Sequence, residues 1–228
     1  MPQDQKRRQK ALERREKQRK QKRATLQRGY GGLQPVLRTA AHWPLYECLV
    51  SKKWQDTMKL TQVLVVRRSP LGQVAAASFL VDLACLGVKD AFPAVFDSVA
   101  EYNQKLRRRA TEQQAMIPAD LNLVAKIIRE SIAYARKLGF APHQDYAPAS
   151  ILLGDANPEA CDVPVPLGGK NGKPFFCSGP YDNVPRIMAQ LERAVGPGGF
   201  DFLIGIHPRP DWAEEEEDEE DEETDSDY

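Results

Sequence analysis

Leu60-Thr-Gln-Val-Leu-Val-Val-Arg67 and Gln73-Val-Ala-Ala-Ala-Ser-Phe-Leu-Val-Asp-Leu-Ala84 are the two runs that decide the fold. Both are apolar, and the first is dense in β-branched residues, which suit the pleated backbone of a strand. Ser69-Pro70-Leu71-Gly72 between them is turn chemistry: proline presets its own φ, and glycine accepts the positive φ that a tight reversal needs. The pair reads as a β-hairpin. The second run is long and ends at Cys85-Leu86-Gly87.

Helical periodicity is expected on the C-terminal side of this hairpin. Phe92, Val95, Phe96, Val99, Tyr102 and Leu106 recur at three and four residues, with Asp90 near the start and Arg107, Arg108 and Arg109 at the end. Cations there suit the negative end of a helix dipole. A second helix is expected over residues 120–138, where Val124, Ile127, Ile128, Ile132 and Ala135 make one stripe and Gly139 stops it. A short third helix falls near residues 147–153. The last, near residues 183–195, is capped by Asp182 or Asn183 and closed by Gly196-Pro197-Gly198-Gly199. Asn171-Gly172 lies between Val163–Val165 and Phe175–Cys177 and reads as the turn of a second hairpin. Phe200 to Ile206 is a final apolar strand. Strands and helices do not alternate regularly, so the expected class is α+β, with small antiparallel sheets packed against about four helices.

Charge divides the chain more sharply than hydrophobicity does. Lys+Arg and Asp+Glu are 32 each over 228 residues, yet residues 1–28 hold 12 basic and 3 acidic side chains. Residues 211–228 hold 13 acidic and no basic ones. The expected organisation is a basic disordered arm (1–28), one α+β domain (29–210) and an acidic disordered tail (211–228). Tyr30-Gly31-Gly32 marks the hinge after the arm. The segment with Trp43, Pro44 and Tyr46 reads as a strap packed on the domain. Mean hydropathy is −0.52, and no 18-residue apolar run occurs, which excludes a membrane-spanning helix. The charged start is followed by no apolar segment, so no secretory signal is expected.

The arm carries the least ambiguous physics. Lys6, Arg7, Arg8, Lys10, Arg14, Arg15, Lys17, Arg19, Lys20, Lys22 and Arg23 are interleaved with Gln, a composition that follows a phosphate backbone and releases its counterions. Arg107, Arg108 and Arg109 are candidates to add contacts from the body. RNA, or the ribosome, is expected ahead of DNA because arginine-rich segments fold on structured RNA; in a eukaryote the same run reads as a nuclear-localisation signal. No aromatic residue interleaves the arm, so any base stacking must come from the body. The tail's 13 carboxylates mimic a polyanion, and tethering in one chain gives about millimolar effective concentration against the arm.

Two other classes compete. Cys85 follows an apolar strand, where nucleophiles are often displayed; His143 with Asp145, or Asp82, would then serve as base and orienter of a cysteine-dependent hydrolase. The third reading is an adaptor whose acidic tail binds a protein partner. Cys48, Cys85, Cys161 and Cys177 are scattered and form no disulfide framework, which suits free thiols in a reducing cytoplasm. No metal and no cofactor is expected: Cys161, Cys177 and His143 lack the short paired spacing of a zinc site. Gly168-Gly-Lys-Asn-Gly-Lys-Pro174 lacks the Ser or Thr and the following helix of a phosphate loop.

Three blocks, Phe79-Leu-Val-Asp-Leu-Ala-Cys-Leu-Gly-Val-Lys-Asp-Ala-Phe92, Leu138-Gly-Phe-Ala-Pro-His-Gln-Asp-Tyr146 and Gly172-Lys-Pro-Phe-Phe-Cys-Ser-Gly-Pro180, resemble a family of bacterial hypothetical proteins. The likeness spans roughly residues 42–204. It implies a bacterial cytoplasmic setting and transfers no site residue.

Overall fold

The hairpin forms as the sequence dictates, and the rest of the fold is built around it. The computed structural model describes residues 32–179 and 182–205; the basic arm and the acidic tail lie outside them. Strands β1 (Leu45–Ser51), β2 (Thr61–Arg68), β3 (Val74–Asp82), β4 (Gly87–Phe96) and β5 (Met116–Pro118) form an antiparallel sheet in the order β4-β3-β2-β1-β5. Ser69 closes the β2–β3 turn with its hydroxyl oxygen, which accepts the Gln73 N–H at 3.0 Å. Gly72 takes φ +96° there. The fold is α+β.

Both faces of the sheet are covered, and β2 is buried along nearly its whole length. On one face Val63, Val65, Ala75, Ala77, Phe79 and Val81 pack against α3 (Leu121–Lys137), with α1 (Gln34–Ala40) and α4 (Tyr146–Ser150) beside it. Ile127 and Ile128 of α3 are fully buried, each contributing about 1.5–3 kcal/mol of apolar transfer. Asp120 caps α3 by accepting the Asn122 N–H at 2.8 Å. Gly87 lets the helix lie close: a Cβ there would stand 2.9 Å from that of Ala135, and its φ is +70°.

The opposite face, with Leu49, Leu64, Val66, Val74, Ala76 and Phe96, is covered by Tyr102 and its neighbours. These belong to α2, which is α-helical over Val99–Tyr102, π-helical over Asn103–Arg107 and α-helical again over Arg108–Gln113. The helix expected from Asp90 is therefore corrected. Residues 87–96 are a strand, and the helix starts only after Ser98, whose hydroxyl accepts the Glu101 N–H at 3.2 Å. Pro93 forbids the helical alternative by removing a donor mid-segment. It is tolerated in β4 because β4 is an edge strand. Cys85 accordingly stands in a strand-to-strand turn, and no helix follows it.

Arg67 ties three segments together from a buried position, 4% exposed. Its Nε donates to Leu152 O (2.9 Å), Nη1 to Trp43 O (2.9 Å) and Nη2 to Asp155 Oδ1 (3.0 Å). It thereby satisfies carbonyls of the 3-10 turn Ile151–Leu153 that continues α4, groups a helix end leaves without partners.

The second expected hairpin is also corrected. β6 (Phe175–Cys177) pairs in parallel with β7 (Asp201–Leu203), the two joined by α5 (Val184–Val195). Residues 163–165 form no strand. Pro164 and Pro166 flank Val165 and deprive that run of donors. Asn171 and Gly172 do take positive φ (58° and 72°), but within a 3-10 turn, and Phe175 N–H instead reaches Ala84 O at 3.1 Å. The segment with Trp43, Pro44 and Tyr46, expected as a strap, runs from the end of α1 into β1, which takes in Tyr46; neither α1 nor β1 shows a periodic signal in sequence.

Candidate nucleic-acid interface

Two backbone irregularities meet at the sheet's β1 end. β1 pairs with β2 as Leu45↔Arg67 and then Glu47↔Val66, so Tyr46 is the extra residue of a β-bulge. Bulges bend a strand and re-aim its side chains. Facing the bulge is the π segment of α2. In an unbroken α-helix residues five apart are swung about 140° around the axis by its 3.6 residues per turn. The wider π turn carries Arg107 back toward the side of Tyr102. Both then reach one carboxylate: Tyr102 Oη donates to Glu47 Oε2 at 2.6 Å, and Arg107 Nε donates to Oε1 at 2.9 Å and Oε2 at 3.0 Å.

This cluster is anchored inside and open outside. Tyr102 is fully buried, and burial followed by the Glu47 carboxylate pushes its hydroxyl well above the usual phenol range. Hydrogen bonding and charge from Glu47 push the Arg107 guanidinium up, so it stays cationic. Tyr46 is 43% exposed. The edge of its ring contact with Tyr102 is T-shaped, with centroids 6.5 Å apart. The exposed Arg68 guanidinium sits 5.9 Å from the Tyr46 centroid, a cation–π contact that at an exposed site contributes about 0.5–1 kcal/mol.

The three arginines expected from sequence are placed differently from one another. Arg107 is committed to Glu47 through Nε alone. Arg108 faces Glu112 at 3.8 Å, one turn along the helix. Arg109 is exposed and makes no ion pair among the described residues. Lys105 is held by Glu101 at 2.6 Å. The arm residues from Lys6 to Arg23 lie outside the described residues. Tyr46, Glu47, Arg68 and Tyr102 were not singled out as a site by sequence, since they come from three elements.

Cys85 and His143 occupy different surroundings. Cys85 is fully buried among Leu86, Leu138, Phe176 and Leu191. Burial, then the Asp82 carboxylate, raises its thiol pKa far above the ordinary value, the reverse of an activated nucleophile. Asp82 spends Oδ1 accepting the N–H groups of Ala84 (2.9 Å) and Cys85 (3.0 Å). His143 Nδ1 accepts the Asp145 N–H at 3.3 Å and lies 3.6 Å from Asp90 Oδ1. His143 and Asp145 are thus together, while no hydrogen bond joins His143 to Cys85 among the described residues. Lys89, whose charge acts on Asp82 and Cys85, pairs with Asp182 at 2.7 Å. Among the described residues no group of three His, Cys, Asp or Glu side chains is placed to hold a metal ion, and no helix is long and apolar enough to cross a membrane.

Comparison with known proteins finds no matching family model, no matching curated protein and no matching solved structure. The case for function therefore rests on the chain's own residues.

Proposed function

We propose that this chain is a nucleic-acid-binding protein, with RNA as its preferred partner. The observation that carries the reading is the basic arm, 12 Lys/Arg against 3 acidic residues in 1–28. Such a segment neutralises phosphates and gains affinity from counterion release. Support from the body comes from the corner around Arg68 and Arg107, which adds positive charge and the exposed Tyr46 ring. The acidic tail acts as a tethered competitor for the arm, lowering the fraction of arm free to meet nucleic acid.

The same proposal includes a reducing cytoplasmic setting in a bacterium, consistent with four cysteines that are all free. A cysteine-dependent hydrolase draws no support from a Cys85 thiol that is buried and pushed up. Affinity for a fluorescent single-stranded RNA, measured for the full chain and for variants lacking either end, tests the reading. Removing residues 1–28 is expected to weaken binding at least about tenfold at low salt, and removing 211–228 to tighten it several-fold, an effect that fades with screening. Equal affinity with and without the arm contradicts the proposal.

A further inference from the structure

We infer that Tyr46 and Arg68 form a stacking platform for an unpaired base of single-stranded nucleic acid, with Arg107 donating to the neighbouring phosphate. This rests on the nucleic-acid reading above and adds to it the class of ligand: single-stranded, with a base splayed out of its stack.

Four features of the corner converge on that ligand. The bulge turns Tyr46 outward while its neighbour Glu47 is held inward by Tyr102 and Arg107. The Tyr46 ring already contacts Tyr102 in a T-shaped pair and Arg68 over its face; a ring held by such contacts loses less freedom on binding. Aromatic rings and guanidinium planes are the two surfaces on which unstacked bases lie; here the exposed Arg68 guanidinium lies over the half-exposed Tyr46 ring, so a base would extend that stack. Finally, Arg107 uses only Nε on Glu47, and its two terminal nitrogens have no protein partner among the described residues. Those terminal N–H groups suit a phosphate oxygen. Glu47 is already matched by Arg107 and the Tyr102 hydroxyl, so the corner does not repel a polyanion.

A duplex does not fit this arrangement, because its base faces are occupied by their neighbours along the helix. The arm, by contrast, has no aromatic residue and reads backbone charge in either form. The two parts of the protein therefore divide the work, the arm supplying affinity for any phosphate backbone and Tyr46–Arg68 supplying preference for open strands.

The test uses the full-length chain with three probes: a fluorescent 12-nucleotide oligouridine, the same backbone carrying abasic positions, and a 12-base-pair duplex. Tyr46→Ala is expected to weaken oligouridine binding about tenfold, the scale of one lost base–aromatic stack, and to leave duplex and abasic binding unchanged. Tyr46→Phe should retain affinity within about twofold, because it keeps the ring. Arg68→Gln, which leaves Tyr46 in place, should give an intermediate loss that is larger on oligouridine than on the duplex or the abasic strand; it guards against misfolding of Tyr46→Ala. Equal losses on all three probes, or Phe as damaging as Ala, would overturn the platform while leaving the arm's role standing. A wild-type chain that binds none of the probes would overturn both.

Discussion

Tyr102 donates its buried hydroxyl to Glu47 across 2.6 Å, and this bond pins the π-helical cover of the sheet to the bulge of its first long strand. Tyr102→Phe keeps the ring and removes the donor. It is expected to lower stability by about 1–2 kcal/mol, the scale of a hydrogen bond to a charged group, while Arg107 holds the carboxylate. Chemical denaturation of both proteins measures this. No change in the midpoint would mean that Arg107 alone fixes Glu47.

Gly154 accepts a backbone that no other residue takes comfortably, with φ +57° and ψ −116°. A Cβ at this position would stand 2.6 Å from Arg67 Nη2 and 2.8 Å from Ala41 O. Gly154→Ala therefore both strains the backbone and dislodges the guanidinium that satisfies Trp43, Leu152 and Leu153. A loss on the order of 2–3 kcal/mol is expected, read as a fall in thermal midpoint. A variant as stable as the parent would show that Arg67 is not the tie between these segments.

Thiol reactivity separates the four cysteines. Cys177 is exposed and Cys161 partly so, whereas Cys48 and Cys85 are buried, with burial pushing Cys48 up to about 12. A disulfide reagent at pH 8 should modify Cys177 first and Cys161 next in the native protein, and reach Cys48 and Cys85 only on unfolding. Rapid native labelling of Cys85, identified by mass spectrometry, would revive the hydrolase.

Asp82 carries a pH dependence with a definite sign. Burial, set against the nearby Lys89 charge, raises its carboxyl above the ordinary value of 3.8. Between the unfolded and the raised folded pKa the native state binds more protons, so this group's contribution to stability falls as pH rises through that window. Asp82→Asn keeps an oxygen for the Ala84 and Cys85 N–H groups and loses the titration. Its stability should decline less than that of the parent from pH 4 upward, and Asp82→Ala should be the worse variant near neutrality. A parent that gains stability relative to Asp82→Asn as pH rises would show that the charge beside Lys89 outweighs its burial.

How much of this was legible in the sequence depends on how local the signal was. β2, β3 and α3 were readable because a continuous apolar run, a Pro-Gly turn and a stripe with caps each sit within 20 residues. β4 carries two signals at once: Phe92, Val95, Phe96 and Val99 satisfy a helical spacing, while Phe92, Ala94 and Phe96 also alternate as a strand does. Pro93, and the Ser98-Val-Ala-Glu101 start signal, carried the information that separates the two. The partner of β6 is not legible in the sequence because it lies beyond a helix, and parallel pairing leaves no mark in adjacent residues. The Tyr46–Arg68–Tyr102–Arg107 corner was invisible for a related reason: a bulge, a hairpin strand and a π turn assemble it from positions 61 residues apart at the extremes.

The most direct measurement of the central claim is the salt dependence of RNA affinity, taken by fluorescence anisotropy on the full chain and on a chain lacking residues 1–28. With about six to ten phosphates neutralised, log K should fall with log salt at a slope of about −4 to −7 for a single strand. Deleting the arm should flatten that slope severalfold and weaken low-salt binding by at least about tenfold. Identical slopes and affinities for the two chains, or a full chain that ignores salt, would contradict the account.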